Sequence, residues 1–206
     1  MMSWQRKQME IDPKPIYGNW ARGWALDRHT LRSRSGGGER AKYGRFATER
    51  SALGEALFRL KYQGDRAQVG PIAATVAAFI RSRTELADIK AILAVPPSDV
   101  DRSFQPVAVI AAAVAGELGL PAPDDFIIKT KHTAPLKNMD DKRERREELD
   151  GAFSVADQRF AGSHLLLFDD LFRSGETLKA VAVALLFAGR AGDVSVVALT
   201  ATRTKK

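Results

Sequence analysis

Cysteine is absent from the 206-residue chain, which excludes disulfides and thiolate-held metals outright. Histidine is scarce as well: His29, His132 and His164 are the full complement, and they show no metal-ligand spacing. His164 reads as the start of a strand. Long apolar runs are missing too; none reaches membrane-spanning length, and the opening MMSWQRKQME lacks the apolar core of a signal peptide. The expectation is a soluble cytoplasmic protein with no membrane partner. The length suits one α/β domain with embellishments, large enough to bury a real core.

Charge is present in both signs but unevenly placed. Residues 1–50 hold eleven Lys and Arg against five Asp and Glu, so most of the net +7 lies in the N-terminal quarter. Trp20, Trp24 and Tyr43 are interleaved with these cations. The region reads either as a surface for single-stranded nucleic acid or polyphosphate, or as a solvated arm. Trp20 and Trp24 read as packing anchors rather than base-stacking platforms.

The most informative stretch is Leu165 to Leu178, LLLFDDLFRSGETL. Four apolar residues suit a strand covered on both faces, as in a parallel sheet. They run into Asp169 and Asp170, and Gly175 then lets a tight loop open a helix. Backbone N–H groups at such a helix start form an anion site, to which Ser174 and Thr177 add hydroxyls. Carboxylates suited to sugar hydroxyls therefore precede a phosphate nest by a few residues, an arrangement that suits a phosphorylated ribose. Either half alone also reads blandly, as solvated turn acids or a helix cap.

Elsewhere the pattern alternates between strands and helices. Pro15 to Thr30, with Gly18 and Gly23, fits short strands or a hairpin, and Ser33 to Gly44 is a glycine-rich connection. Thr48 or Ser51 caps a helix ending near Lys61, and a second helix runs from about Arg66 to Arg83. Ile89 to Val95 is a buried strand stopped by Pro96 and Pro97. A small-residue helix covers Phe104 to Leu118, followed by a strand at Phe126 to Lys129. A charged segment occupies Thr130 to Asp150. A short strand near Phe153 to Val155 precedes the motif strand, His164 to Phe168. Helix Thr177 to Ala188 and strand Val194 to Thr200 complete the chain. The order implies an α/β fold with a parallel sheet flanked by helices and ligand-binding loops at the strands' carboxyl ends. Two regions are expected: a basic, aromatic, hood-like segment over 1–47 with short strands, and a main domain over 48–206.

The motif resembles the signature that binds phosphoribosyl diphosphate (PRPP) in type I phosphoribosyltransferases, with Arg173 where many members carry Thr or Ser. Three further segments are similar to the ComF family within that group. They are LFRLKYQGD from Leu57 to Asp65, AVPPSDVDRSFQPVAVIAAAVAGELGLP from Ala94 to Pro121, and KTKHTAPLKNMDDKRERREELDGAF from Lys129 to Phe153. The likeness spans about residues 55 to 200. The cysteine-free chain lacks that family's N-terminal zinc ribbon, and Glu148 stands where Asn usually precedes Gly-Ala-Phe.

The resemblance implies transfer of phosphoribosyl from PRPP, carrying Mg²⁺ as cofactor, to an unidentified acceptor with release of pyrophosphate. It implies that Asp169 and Asp170 hold the ribose hydroxyls, and that Arg173, Ser174, Gly175, Glu176 and Thr177 wrap the 5′-phosphate. Glu176 would turn its side chain away. Pro97, Ser98 and Asp99 match the pyrophosphate loop in position, and equally an ordinary strand-terminating turn. Lys129, Lys131 and Arg145 are candidates for a mobile lid, or for a solvated charged face. Lys61 could reach a phosphate or simply solvate a helix end. No general base is evident, and self-association is left open by the sequence. The alternative is a protein that binds single-stranded DNA or senses PRPP without catalysis, linked to DNA uptake.

Overall fold

The structure, a computed structural model, describes residues 8–34, 47–97, 104–131 and 142–202. Its centre is a five-stranded sheet in which the middle of the chain's motif lies between neighbours on both sides. The strands are β1 (Lys14–Pro15), β2 (Arg22–Arg28), β5 (Ala91–Ala94), β8 (His164–Phe172) and β9 (Asp193–Ala201), in the order β1-β2-β9-β8-β5. β2, β9, β8 and β5 run parallel, and β1 closes one edge as an antiparallel hairpin with β2. A second hairpin joins β3 (Arg32–Arg34) to β4 (Ala47–Glu49).

Helices cover both faces, so the middles of the strands are predominantly apolar on both sides. On β8, Leu166 and Phe168 face one core and Leu165 and Leu167 the other, all at 1% exposure or less. The first face is packed by α1 (Ala52–Tyr62), α2 (Val69–Arg81) and α3 (Pro106–Leu118). The opposite face is packed by α5 (Glu176–Val183), which continues as a π-helical turn over Ala184–Ala188. The α/β architecture is thus a mostly parallel sheet flanked by helices, as the alternation of elements implied.

Local chemistry explains the helix ends. Ser51 caps α1, its hydroxyl accepting the Gly54 N–H at 3.1 Å. Pro106 opens α3, where its missing N–H costs nothing, and Gly119 closes it at φ 69°. On α2, Ile72, Ala73, Val76, Ala77 and Ile80 form the buried stripe at helical spacing.

Three features differ from the sequence expectations. The motif strand does not stop at Phe168: β8 runs on through both acids to Phe172, because β9 extends to Ala201 and supplies ladder partners for Asp169, Leu171 and Phe172. β6 (Ile127–Lys129) lies outside the central sheet, paired antiparallel with β7 (Phe153–Val155) in a separate ribbon. Residues 22–28, expected in a hood-like segment, form the strand beside β9. Within the charged segment α4 (Lys142–Leu149) packs on α5, with Leu149 buried as its anchor.

Replacing a fully buried aromatic on β8 tests the double-sided core. Phe168→Ala should lower stability by about 3–5 kcal/mol, read as a shift in the urea midpoint. Val183→Ala on the exposed side of α5 should stay within about 0.5 kcal/mol.

Candidate functional site: the carboxyl edge of the sheet

The carboxyl ends of β2, β9, β8 and β5 meet at one edge, and β8 brings its two acids there. Successive side chains on a strand point to opposite faces, so Asp169 follows Leu165 and Leu167 while Asp170 follows Leu166 and Phe168. Asp170 consequently lies on the α1 face. The ammonium of Lys61, near the end of α1, donates to its Oδ2 at 2.6 Å. Both groups are largely shielded from solvent, with side chains 20% and 13% exposed. Lys61, considered for a phosphate contact, is held by this carboxylate in the structure. On the other face Asp169 Oδ1 accepts the Asp170 backbone N–H at 2.8 Å.

Part of Asp169 still meets solvent, but protein surrounds its carboxyl densely. Desolvation pushes its pKa well above the usual carboxylate range, and the neighbouring Asp170 charge adds to the rise. The Asp170 N–H and the Lys61 ammonium pull the other way without cancelling it. The edge therefore holds one lysine-paired carboxylate beside a second that resists ionisation.

Beyond Phe172 the loop needs only Arg173, Ser174 and Gly175 to reach α5. Gly175 sits at φ 76°, and a Cβ there would lie 2.8 Å from the Phe172 ring and 3.6 Å from Trp20. Both the backbone conformation and the space demand glycine. The first bond of α5 runs from the Lys179 N–H to the Gly175 carbonyl at 2.9 Å, so helix geometry leaves the N–H groups of Glu176, Thr177 and Leu178 directed into the loop. Among the described residues neither the Ser174 nor the Thr177 hydroxyl is engaged in a hydrogen bond. Arg173 is exposed. The Glu176 side chain turns from the loop, buried at 4% exposure, and accepts a bond from Lys179 Nζ at 2.9 Å.

The other predicted positions divide. Pro97 follows Val95, whose N–H donates to the Phe168 carbonyl at 2.9 Å, so β5 delivers its proline turn beside the acid pair. Ser98, Asp99 and the Arg145 side chain lie outside the described residues, as does Tyr43. Lys129 lies on β6 of the separate β6–β7 ribbon and Lys131 just after it, outside the central sheet. Trp24 packs edge-on against Phe79 with centroids 5.7 Å apart, while Trp20 bonds through Nε1 to the Ile16 carbonyl at 3.2 Å. Among the described residues no group of three or more His, Asp or Glu could hold a metal, and no described helix is long and apolar enough to cross a membrane.

Two residues at this edge carried no signal in the sequence: His29, just past β2, and Thr200 on β9. His29 Nδ1 lies 3.1 Å from Thr200 Oγ1, and that hydroxyl donates to the Asp170 carbonyl at 3.1 Å. Burial lowers the His29 pKa, with Arg50, Lys61 and Arg173 contributing in the same direction against Asp170. Only the placement of both residues at strand carboxyl ends could have flagged them.

No family model matches the chain, and no curated protein matches its sequence. Among solved structures it is similar to adenine phosphoribosyltransferase from Leishmania tarentolae, at 12% identity over 69% of this chain and 74% of that one, with a TM-score of 0.43. It is also similar to the Trypanosoma brucei adenine phosphoribosyltransferase solved with AMP, pyrophosphate and ribose-5-phosphate, at 16% identity over 69% and 68%, TM-score 0.43. A third is Leishmania donovani UMP synthase, at 19% identity over 83% of this chain and 29% of that one, TM-score 0.40. The fold and the site by themselves define an α/β protein whose sheet edge carries an electrostatically strained acid pair next to an anion-receptive loop.

Two variants probe this geometry. The raised pKa of Asp169 means that the folded state holds its proton more tightly than the unfolded chain. Its contribution is therefore intact below the unfolded carboxyl pKa and lost as pH rises through the folded value. Asp169→Asn should stabilise the ligand-free protein by about 1–3 kcal/mol above pH 7 and by nothing near pH 4, measured by urea unfolding at both pH values. Gly175→Ala should cost about 1–3 kcal/mol through backbone strain alone, in the same assay.

Proposed function

We propose that the chain is a phosphoribosyltransferase of the ComF kind, transferring the phosphoribosyl group of PRPP to an acceptor and releasing pyrophosphate. The observation that carries this reading is the junction of β8 and α5. Two adjacent carboxylates, Asp169 and Asp170, stand four intervening residues before a left-handed glycine that opens a helix, all at the carboxyl edge of a parallel sheet.

The chemistry follows from what each group can do. Asp169 and Asp170 accept hydrogen bonds from the ribose hydroxyls. The 5′-phosphate enters the loop, taking the N–H groups of Glu176, Thr177 and Leu178, the Ser174 and Thr177 hydroxyls, and the charge of Arg173. Departure of pyrophosphate leaves positive charge on the sugar. An acid pair that lacks enough counter-charge in the free protein is preorganised to stabilise that charge where it develops. Pro97 and the residues after it would receive the pyrophosphate, with Lys129, Lys131 and Arg145 as the closing lid. Trp20, in the turn between β1 and β2, stands near Gly175 beside the loop.

Carboxylate and diphosphate oxygens are hard donors, which fits Mg²⁺ carried on PRPP by phosphate oxygens and water. Bound there, the ion would offset charge on the departing pyrophosphate. The residues of the chain supply the rest: they fix the sugar, seat the phosphate and exclude water.

PRPP with Mg²⁺ should raise thermal stability, by about 2.7 kcal/mol at a hundredfold excess over Kd. The double variant Asp169→Asn, Asp170→Asn should abolish the shift, and retention of the shift in that variant removes this site assignment. A pyrophosphate-release screen with PRPP against nucleobases, nucleosides and amines then identifies the acceptor.

A further inference from the structure

We propose that His29 is the base that takes the proton from the incoming nucleophile, an inference that rests on the phosphoribosyl-transfer reading and deepens it. The backbone of His29 is fixed twice. Its N–H donates to the Ala201 carbonyl at 2.9 Å, and its own carbonyl lies where a Cβ on Gly54 would approach to 2.7 Å. The preceding Arg28 carbonyl accepts the Ser51 hydroxyl at 2.8 Å. The start of α1 thus packs against the end of β2 and fixes the backbone of His29 at the sheet edge.

Its tautomer is set by the partners. The Thr200 hydroxyl has one proton, and the Asp170 carbonyl, which can only accept, takes it. With that proton on the carbonyl, what Thr200 offers the ring is a lone pair, and the proposal places the ring proton on Nδ1. In the neutral ring the lone pair is then on Nε2, which has no partner among the described residues. Burial first, and then the charges around the ring, lower its pKa. Arg50 ahead of α1, Lys61 on α1 and Arg173 beyond β8 oppose a further positive charge, and Asp170 alone favours one. On its own strand, Asp27 is tied to the Arg28 N–H at 2.7 Å. A half-buried neutral imidazole with a free Nε2, one hydroxyl away from the backbone of the acid pair, has the properties of a general base.

The class of nucleophile this serves is a nitrogen that carries a proton, such as a nucleobase ring N–H. Its N–H electron pair forms the new bond to the anomeric carbon, and its proton passes to Nε2. The carbon–oxygen bond to pyrophosphate breaks with both electrons leaving on oxygen. Charge and atoms balance without a further reactant.

The test uses His29→Asn, whose amide can keep the bond to Thr200 but cannot accept a proton. PRPP–Mg²⁺ thermal shifts report binding, and pyrophosphate release from PRPP to water and to adenine, guanine, uracil and orotate reports turnover. The expected result is an unchanged shift, turnover lowered about 10²–10³-fold, and loss of the acid limb of the pH–rate profile that the wild type shows. Thr200→Val should lower turnover in the same way while Thr200→Ser retains it, which guards against a poorly folded His29 variant. Nitrogen NMR of the wild type should find the neutral Nδ1–H tautomer at pH 7. Turnover within threefold of wild type in His29→Asn, an Nε2–H or charged ring, or no release in the wild type with any of these probes overturns the proposal. Absence of a PRPP shift in the wild type instead removes the underlying reading, and the two failures are told apart by the binding measurement.

Discussion

Alternation of side chains along a β-strand forces neighbouring residues onto opposite faces, and in this protein that rule separates two adjacent carboxylates at the end of β8. Asp170 is sent to the α1 face, where Lys61 meets it at 2.6 Å, and Asp169 to the α5 face, where protein displaces much of its water. Their charges nevertheless remain close enough to repel. The ladder to β9 fixes which face of the sheet each acid occupies. The sheet thus fixes one lysine-paired carboxylate beside a second that holds its proton more tightly than a free acid.

The rest of the edge is arranged around the same strand. Gly175 turns the chain within three residues at a positive φ where the Phe172 ring leaves little room for a side chain, and the start of α5 is brought beside the acids. β2 and β9 end level with β8. The hydroxyl of Thr200 therefore reaches the carbonyl of Asp170 on one side and the ring of His29 on the other. Ser51 and Gly54 hold the end of β2 from the first turn of α1, so the helix that carries Lys61 also fixes His29.

Much of this was legible in the residues. The apolar run before Asp169, the glycine at 175 and the helical stripe that follows located the strand, the loop and α5, since period and turn chemistry are local properties. The cap at Ser51, one of two candidates with Thr48, follows from the same kind of signal. Other features were not local. Where β8 ends depends on how far β9 runs beside it, which is why the strand passes through acids that composition alone assigns to a turn. β6 reads like any short strand, and only its pairing with β7 takes it out of the sheet. His29 and Thr200 lie 171 positions apart, and no spacing rule connects them.

The sequence by itself determined the class of fold and the order of its elements, because double-sided burial of parallel strands demands continuous apolar runs between helices. It also determined the order of acid pair, glycine and helix, since those groups follow one another along the backbone. Which cation faces which carboxylate, which histidine nitrogen is left free and which acid resists ionisation were decided by the tertiary structure. Each of these depends on distances and lost water between segments far apart in the chain, and electrostatic energies acquire their size only once those segments have packed.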